Sequence, residues 1–358
     1  MKRKGGKGRK VLAAVGIIVV ALALVLAVNH NVVRMVFYSI YDPEIKLDVE
    51  GDWAGGTAYR NVRYSDVSET DYLNLYVPDS EEPVPLIVMV HGGGFVLNDC
   101  ESRQAQLFYQ YFRDHGYACA TVNYRLAQEA PFPAAVEDVK AAVRYLRANA
   151  DQYGYKADKI AIWGESAGGY LATMATVTTD EEFSSLPFIG EEELDEPVSG
   201  KIDLLLDFYG AMSIEPWSER IAAFKELGVP KFILTVSNQW LFEMMKDYPG
   251  FETWEDLWIG RNMGGMTEEE RLVFTPAYYI GKNLSADSDL DVFILHGDAD
   301  ITVPWTQSQH LYELLCDTIG EEHVRLNYLH NAKHADENMY SDESLSALKE
   351  YVDGLLAA

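Results

Sequence analysis

The sequence predicts an α/β fold in which a mostly parallel central sheet carries helices on both faces. Three observations lead there. Short continuous apolar runs recur at Leu86–Val90, Tyr117–Asn123, Lys159–Trp163, Ile202–Phe208 and Val292–Leu295, as strands covered on both faces require, and Val324–Leu329 reads as a further strand. Helical patterns lie between them. The clearest follows Pro133, where Ala135, Val136, Val139, Ala142, Val143 and Leu146 recur at helical spacing with charges between them. Strand, helix, strand order sustained over roughly 250 residues implies parallel pairing, with functional loops at the strands' carboxyl ends.

Read in order, residues 1–28 come first as a separate element. Six Lys or Arg stand in the first ten residues, and an uncharged apolar run follows from Val11 to Val28. Eighteen residues reach the lower edge of a spanning helix and exceed an ordinary signal-peptide core. The favoured expectation is an uncleaved signal anchor that leaves the remainder outside the cytoplasm. The rival is a secretory signal cut after Val25-Leu26-Ala27. Residues 29–60 are expected to form a connector, and 61–358 the folded domain. Thr178 to Gly200 is rich in acids and reads as a solvated loop. A helical cap is expected as an insertion at about 213–275, a stretch holding Trp217, Trp240, Trp254 and Trp258. Aromatics there could line a ligand pocket, although Trp is used far more often for packing.

The whole chain has 358 residues and 48% apolar character, enough for one large α/β domain with insertions. With 56 Asp and Glu against 29 Lys and Arg, its net charge of −27 excludes nucleic acid as a natural partner. Cys100, Cys119 and Cys316 are odd in number and widely spaced, so neither a disulfide framework nor a zinc site can be read from them. Cys119, inside a strand-like run, is expected to be a buried free thiol.

Gly164-Glu165-Ser166-Ala167-Gly168 follows the apolar run ending at Trp163 and opens into a helix-like segment. A strand turning sharply into a helix with Ser at the apex needs small flanking residues, and it presents the hydroxyl at the strand's carboxyl end. Such a Ser becomes a nucleophile only with a base and an orienting acid. The expected chain order is Ser, then Asp, then His. The loop after Leu295 offers Asp298 and Asp300; Asp300 is preferred because it lies further into the loop, leaving Asp298 to stabilise the turn. The loop after Leu329 offers His330 and His334; His334 lies beyond the strand's alternation and is preferred as base. His91 and His296 each precede a glycine at a strand end and read as structural.

An oxyanion needs preorganised N–H donors. His91-Gly92-Gly93-Gly94-Phe95, directly after a buried strand, can turn its amides inward without side-chain obstruction.

Together these residues resemble the α/β-hydrolase family, and within it carboxylesterases of the hormone-sensitive-lipase-like and bifunctional feruloyl and acetyl-xylan esterase-like groups. The resemblance spans about residues 70–355. It is carried by His91–Phe95, Asn123-Tyr124-Arg125-Leu126-Ala127, Pro131 to Asp138, Gly164 to Gly169, His296 to Asp300 with Val303-Pro304, and His334. It implies Ser166 as nucleophile, Asp300 as acid and His334 as base, with Gly93, Gly94 and Ala167 as oxyanion donors. Glu165 departs from the Asp more usual in the lipase-like group, and is expected to be a helix-start carboxylate facing the amide dipoles. The activity expected is hydrolysis of short-chain carboxylic esters, with acylated carbohydrates as candidate small-molecule substrates and no metal or organic cofactor. Two alternatives are a peptidase of the prolyl-oligopeptidase class and an inactive surface-binding protein.

Overall fold

A computed structural model describes residues 53–213, 222, 224–227, 229, 254–260 and 263–356. The described strands are β1 (Gly56–Arg63), β2 (Tyr72–Pro78), β3 (Val84–Val90), β4 (Ala118–Val122), β5 (Tyr155–Glu165), β6 (Leu204–Phe208), β7 (Asp291–Gly297) and β8 (Val324–Leu329). The helices are α1 (Arg103–Asp114), α2 (Ala134–Ala148), α3 (Ala150–Tyr153), α4 (Ala167–Val177), α5 (Trp254–Ile259), α6 (Glu268–Leu272), α7 (Pro276–Asn283), α8 (Thr306–Ile319) and α9 (Asp342–Leu356). The strands form one sheet in the order β1-β2-β4-β3-β5-β6-β7-β8. β2 runs antiparallel to both its neighbours, and the pairs from β4 to β8 are parallel.

The continuous apolar runs now have their explanation. Alternate residues of each central strand enter opposite cores. Leu86, Val88, Ile160, Ile162, Leu205 and Ile294 pack on the side of α2, α4, α7 and α8, while Ile87, Met89, Trp163, Leu206 and Phe293 meet α1 and α9. Trp163 stacks on Phe108 of α1 with ring centroids 4.5 Å apart.

Two expectations need correction, and the charges of α2 prove to be buried. The sheet begins at Gly56, inside the expected connector, because β1 pairs with β2 from Gly56 opposite Pro78 to Arg63 opposite Tyr72. β1 is an edge strand with mostly exposed or half-buried side chains, so it carries no apolar signal. The charges within α2 do not mark a solvent face: Asp138, Lys140 and Arg144 are all buried. Asp138 takes the Arg125 guanidinium at 2.6 Å, and Lys140 donates to Thr178 Oγ1, Thr179 O and Glu182 O. The Lys140 bonds, with Arg144 donating to Leu186 O, tie the acid-rich loop to the domain. The loop is therefore solvated on one side only; Leu186 and Phe188 are buried beneath it.

The anchor or signal expected at 1–28 and most of the connector lie outside the described residues, as do Trp217, Trp240 and the side chain of Trp254 in the expected cap. Among the described residues no helix is long and apolar enough to cross a membrane. Trp258 is fully buried and stacks on Phe95 with centroids 4.2 Å apart, so this cap tryptophan is packing. Cys119 is a buried free thiol as expected.

In register, Gly164 lies beside Val90 and Asp207, and Phe208 beside Glu165 and Leu295. The carboxyl ends of β3, β5, β6, β7 and β8 therefore open on one side of the sheet. All the candidate residues leave from those ends.

Candidate active site

Ser166 sits between β5 and α4 with φ 53° and ψ −118°, a left-handed conformation that costs a non-glycine residue energy. Its own backbone is held there: Ser166 N donates to Phe208 O, and Ser166 O accepts from Ala211 N. The flanking glycines are sterically required. A Cβ on Gly164 would lie 2.2 Å from Gly168 O, and one on Gly168 would lie 2.1 Å from Val90 O. Ala167 is the first residue of α4, so its N–H has no carbonyl one turn earlier in the helix and stays at the dipole's positive end.

The glycine-rich loop is tied down through its carbonyls. Gly92 O takes His91 Nδ1, Gly93 O takes Val96 N and Leu97 N, Phe95 O takes Ala127 N, and Val96 O takes Gln128 Nε2. Gly93 has φ 113° and Gly94 φ 61°, and both line a cavity of about 350 Å³ shared with Ser166 and His334. Asn98, Gln104 and Thr302 add polar groups to its wall.

His334 Nε2 lies 3.0 Å from Ser166 Oγ, and His334 Nδ1 lies 2.6 Å from Asp300 Oδ2. A carboxylate can only accept, so Nδ1 carries the proton and Nε2 is free to accept from the serine hydroxyl. Asp300 is fully buried and takes four donors. Thr302 N and Val303 N reach Oδ1 at 2.7 and 3.0 Å, while His296 Nε2 joins His334 on Oδ2 at 3.1 Å. Burial alone would push this carboxyl up, but the charge of His334 and the bonds from His296 and His334 hold it well below the usual carboxylate range.

Asp298, expected to stabilise its own turn, reaches instead to the loop after β8: Oδ1 accepts from Asn331 N at 2.7 Å and Oδ2 faces His330 Nδ1 at 2.8 Å. His91 is buried, stacked on Tyr124 at 4.3 Å, and burial lowers its pKa to about 4. His296 is also buried, yet it is more than structural. Its Nε2 faces two acceptors, Asp300 Oδ2 and Val303 O, so it carries the proton there, and Nδ1 accepts from Ser308. The strand-end position of His296, four residues before Asp300, was the available signal.

Glu165 does not face the dipoles of its own helix. Its buried carboxylate accepts from Gly92 N at 3.1 Å and from the Tyr209 hydroxyl, which also contacts the Tyr340 hydroxyl. Tyr209 and Tyr340 were not legible as site residues, because their role depends on where the chain returns. Among the described residues no group of three or more His, Cys, Asp or Glu could hold a metal ion.

The sequence model of the family described as BD-FAE matches residues 73–315, more than half of the chain. The chain belongs to the BD-FAE family. This BD-FAE member is 38% identical over 101 residues to Esterase LipI of Mycobacterium tuberculosis, a match covering 27% of this chain and 30% of the relative. It is 34% identical over 105 residues to an ethyl acetate hydrolase of Pseudomonas putida, covering 28% and 33%. The chain thus spans about a third of the length of these curated relatives. A truncated carbohydrate esterase from gut microbiota superposes with a TM-score of 0.65 at 22% identity, covering 84% of this chain and 97% of that one. Esterase Est2 of Thermogutta terrifontis, with propionate bound, gives 0.58 at 20% identity, covering 85% and 96%. At those identities the likeness establishes the fold. The α/β-hydrolase architecture expected of the BD-FAE member is the one observed.

Proposed function

We propose that the chain is a serine esterase that hydrolyses short-chain carboxylic esters through an acyl-enzyme. The observation that carries this reading is the unbroken line from Ser166 Oγ through His334 to Asp300, with Gly93 and Gly94 in the same cavity. Ser166 Oγ attacks the ester carbonyl while its proton passes to His334 Nε2, and Asp300 stabilises the imidazolium. The carbonyl oxygen becomes an oxyanion facing the amides of Gly93, Gly94 and Ala167. As the carbon–oxygen bond to the alcohol breaks, His334 returns the proton to the leaving oxygen. Water then attacks the acyl-enzyme by the same route, releasing the acid and free Ser166.

The names of the curated relatives, esterase and ethyl acetate hydrolase, support the reaction class. A solved neighbour described as a carbohydrate esterase supports acylated sugars as the first substrates to try. The polar wall of Asn98, Gln104 and Thr302 suits a hydroxylated leaving group. We further propose that the basic cluster and apolar run of residues 1–28 anchor the enzyme at a membrane with the hydrolase domain outside the cytoplasm, and that the region about 213–275 serves as its cap.

The test is hydrolysis of p-nitrophenyl acetate and a panel of acetylated xylosides by the wild type and Ser166→Ala. Serine-dependent release of acetate is expected. Equal rates for the two proteins would sink the reading.

A further inference from the structure

We propose that Glu165 is a positioning residue: its buried carboxylate joins the glycine-rich loop to the Tyr209–Tyr340 pair and so holds the oxyanion amides and the His334 ring in one frame. The inference rests on the esterase reading above. Oε1 accepts from Gly92 N at 3.1 Å, and Oε2 accepts from the Tyr209 hydroxyl, which meets the Tyr340 hydroxyl in turn. These attachments come from three separate segments: the loop after β3, the end of β6, and the short turn Glu337–Tyr340 that follows His334. The Tyr209 ring also stands edge-on to the His334 imidazole, with centroids 4.9 Å apart. Glu165, Tyr209 and Tyr340 are all buried. Gly92 is shaped for the joint, since a Cβ there would lie 2.9 Å from Glu165 O and 3.1 Å from its carboxyl carbon.

Counting protons identifies the working form. With Glu165 ionised, Tyr340 donates to Tyr209, Tyr209 to Oε2, and Gly92 to Oε1, so every donor in the chain has an acceptor. With Glu165 protonated the direction reverses, and the hydroxyl hydrogen of Tyr340 ends the chain with no acceptor supplied by it. Burial raises the carboxyl above its ordinary value, and the Tyr209 and Gly92 bonds with the charge of His334 offset only part of that rise. The groups that face His334 include Ser166 on Nε2, Asp300 on Nδ1 and the Tyr209 ring, and the charges of Glu165 and His334 act on one another. Asp336, on the same segment, is occupied by Lys333 N and Asn338. Asp300 and Glu165 are thus both placed to favour the imidazolium formed as Ser166 attacks. The charge of Glu165 therefore acts on the base, and its reach acts on the donor loop.

The experiment compares the full chain with Glu165→Gln, Glu165→Asp and Tyr340→Phe, with Ser166→Ala as background. It reads kcat and KM on p-nitrophenyl acetate, the pH profile of kcat/KM, and the His334 ring titration by NMR. Glu165→Gln should lower kcat about tenfold with KM within about twofold, because orientation and charge are lost and substrate binding is not. Its His334 midpoint should move to lower pH. Glu165→Asp should restore the midpoint but not kcat, since the shorter side chain keeps the charge and loses the reach. Tyr340→Phe should keep the midpoint and lower kcat a few-fold. Wild-type kcat in Glu165→Gln would overturn the proposal, as would a loss of kcat and thermal stability with the His334 midpoint unmoved. A wild type inert towards esters would instead sink the esterase reading, and the His334 midpoint, which needs no turnover, would still decide the role of Glu165.

Discussion

Replacing Asp300 with Asn changes no heavy-atom positions, yet it should disable the base. The wild-type carboxylate accepts four hydrogen bonds, two from backbone amides at Oδ1 and two from histidines at Oδ2. An Asn amide has one accepting end and one donating end. If its NH2 faced Thr302 N and Val303 N, two donors would meet two donors that cannot change. The NH2 must therefore turn towards His334 and His296, whose protons can move between ring nitrogens. His334 Nδ1 then accepts, so its proton shifts to Nε2, pointing at Ser166 Oγ. A protonated Nε2 cannot take the serine proton. His296 is forced the same way, although its Nε2 also faces Val303 O at 3.2 Å and is left lone pair to lone pair.

The size of the effect follows from losing general-base catalysis while keeping the oxyanion donors and the cavity. A wrong-tautomer triad costs about 10⁴ in kcat in a well-studied serine protease, and the same logic predicts a fall of about 10³–10⁴ here, equivalent to about 4–5 kcal/mol in the barrier. Steady-state hydrolysis of p-nitrophenyl acetate measures the rate, and nitrogen NMR of the imidazole rings reports the tautomer. A variant within about tenfold of wild type, with Nδ1 of His334 still protonated, would refute the argument.

Other changes test other joints. Gly168→Ala places a Cβ 2.1 Å from Val90 O and 2.5 Å from His91 O, so it should cost about 1–3 kcal/mol in denaturant unfolding and displace Ser166 enough to lower kcat; wild-type values of both would contradict the packing. Trp258→Ala removes a fully buried ring from Phe95, Phe132 and Tyr170 and should destabilise the fold by about 3–5 kcal/mol, read as a lower melting temperature. His91, lowered to about 4 by burial, stays neutral in the fold while an unfolded chain protonates it near pH 6.5. The unfolded state therefore binds more protons between those values, and stability should fall as pH drops from 6.5 to 4; His91→Phe should flatten that slope in denaturant midpoints. Asp300 has the same sign, a depressed carboxyl that the unfolded chain protonates first, so its contribution is present above the ordinary carboxylate range and is lost as pH falls through and below that range.

What was legible in the sequence followed its local character. Buried parallel strands announce themselves by continuous apolar runs, and Ser166, Asp300 and His334 each sit at a strand's end, where spacing and order are informative. What was hidden depended on partners far along the chain. β1 lacks apolar signal because it lies at the sheet's edge with little of it covered. Asp138, Lys140 and Arg144 looked like a polar helix face, since only the returning loops reveal that their charges are satisfied inside. Glu165 suggested a helix-start carboxylate because the amide it binds is 73 residues earlier and its tyrosine partner 44 residues later.

The register of the sheet links the two kinds of information. Because Gly164 pairs with Val90 and Asp207, and Glu165 with Phe208, the residue before the serine emerges level with the start of the glycine-rich loop and the residue before Tyr209. A side chain at position 165 can then touch both neighbours at once, which a side chain one residue earlier, on the opposite face of the strand, could not. β5 is thus central for a second reason beyond presenting Ser166. It sets the height at which a single carboxylate can connect the donor loop on one side with the tyrosines and histidine on the other.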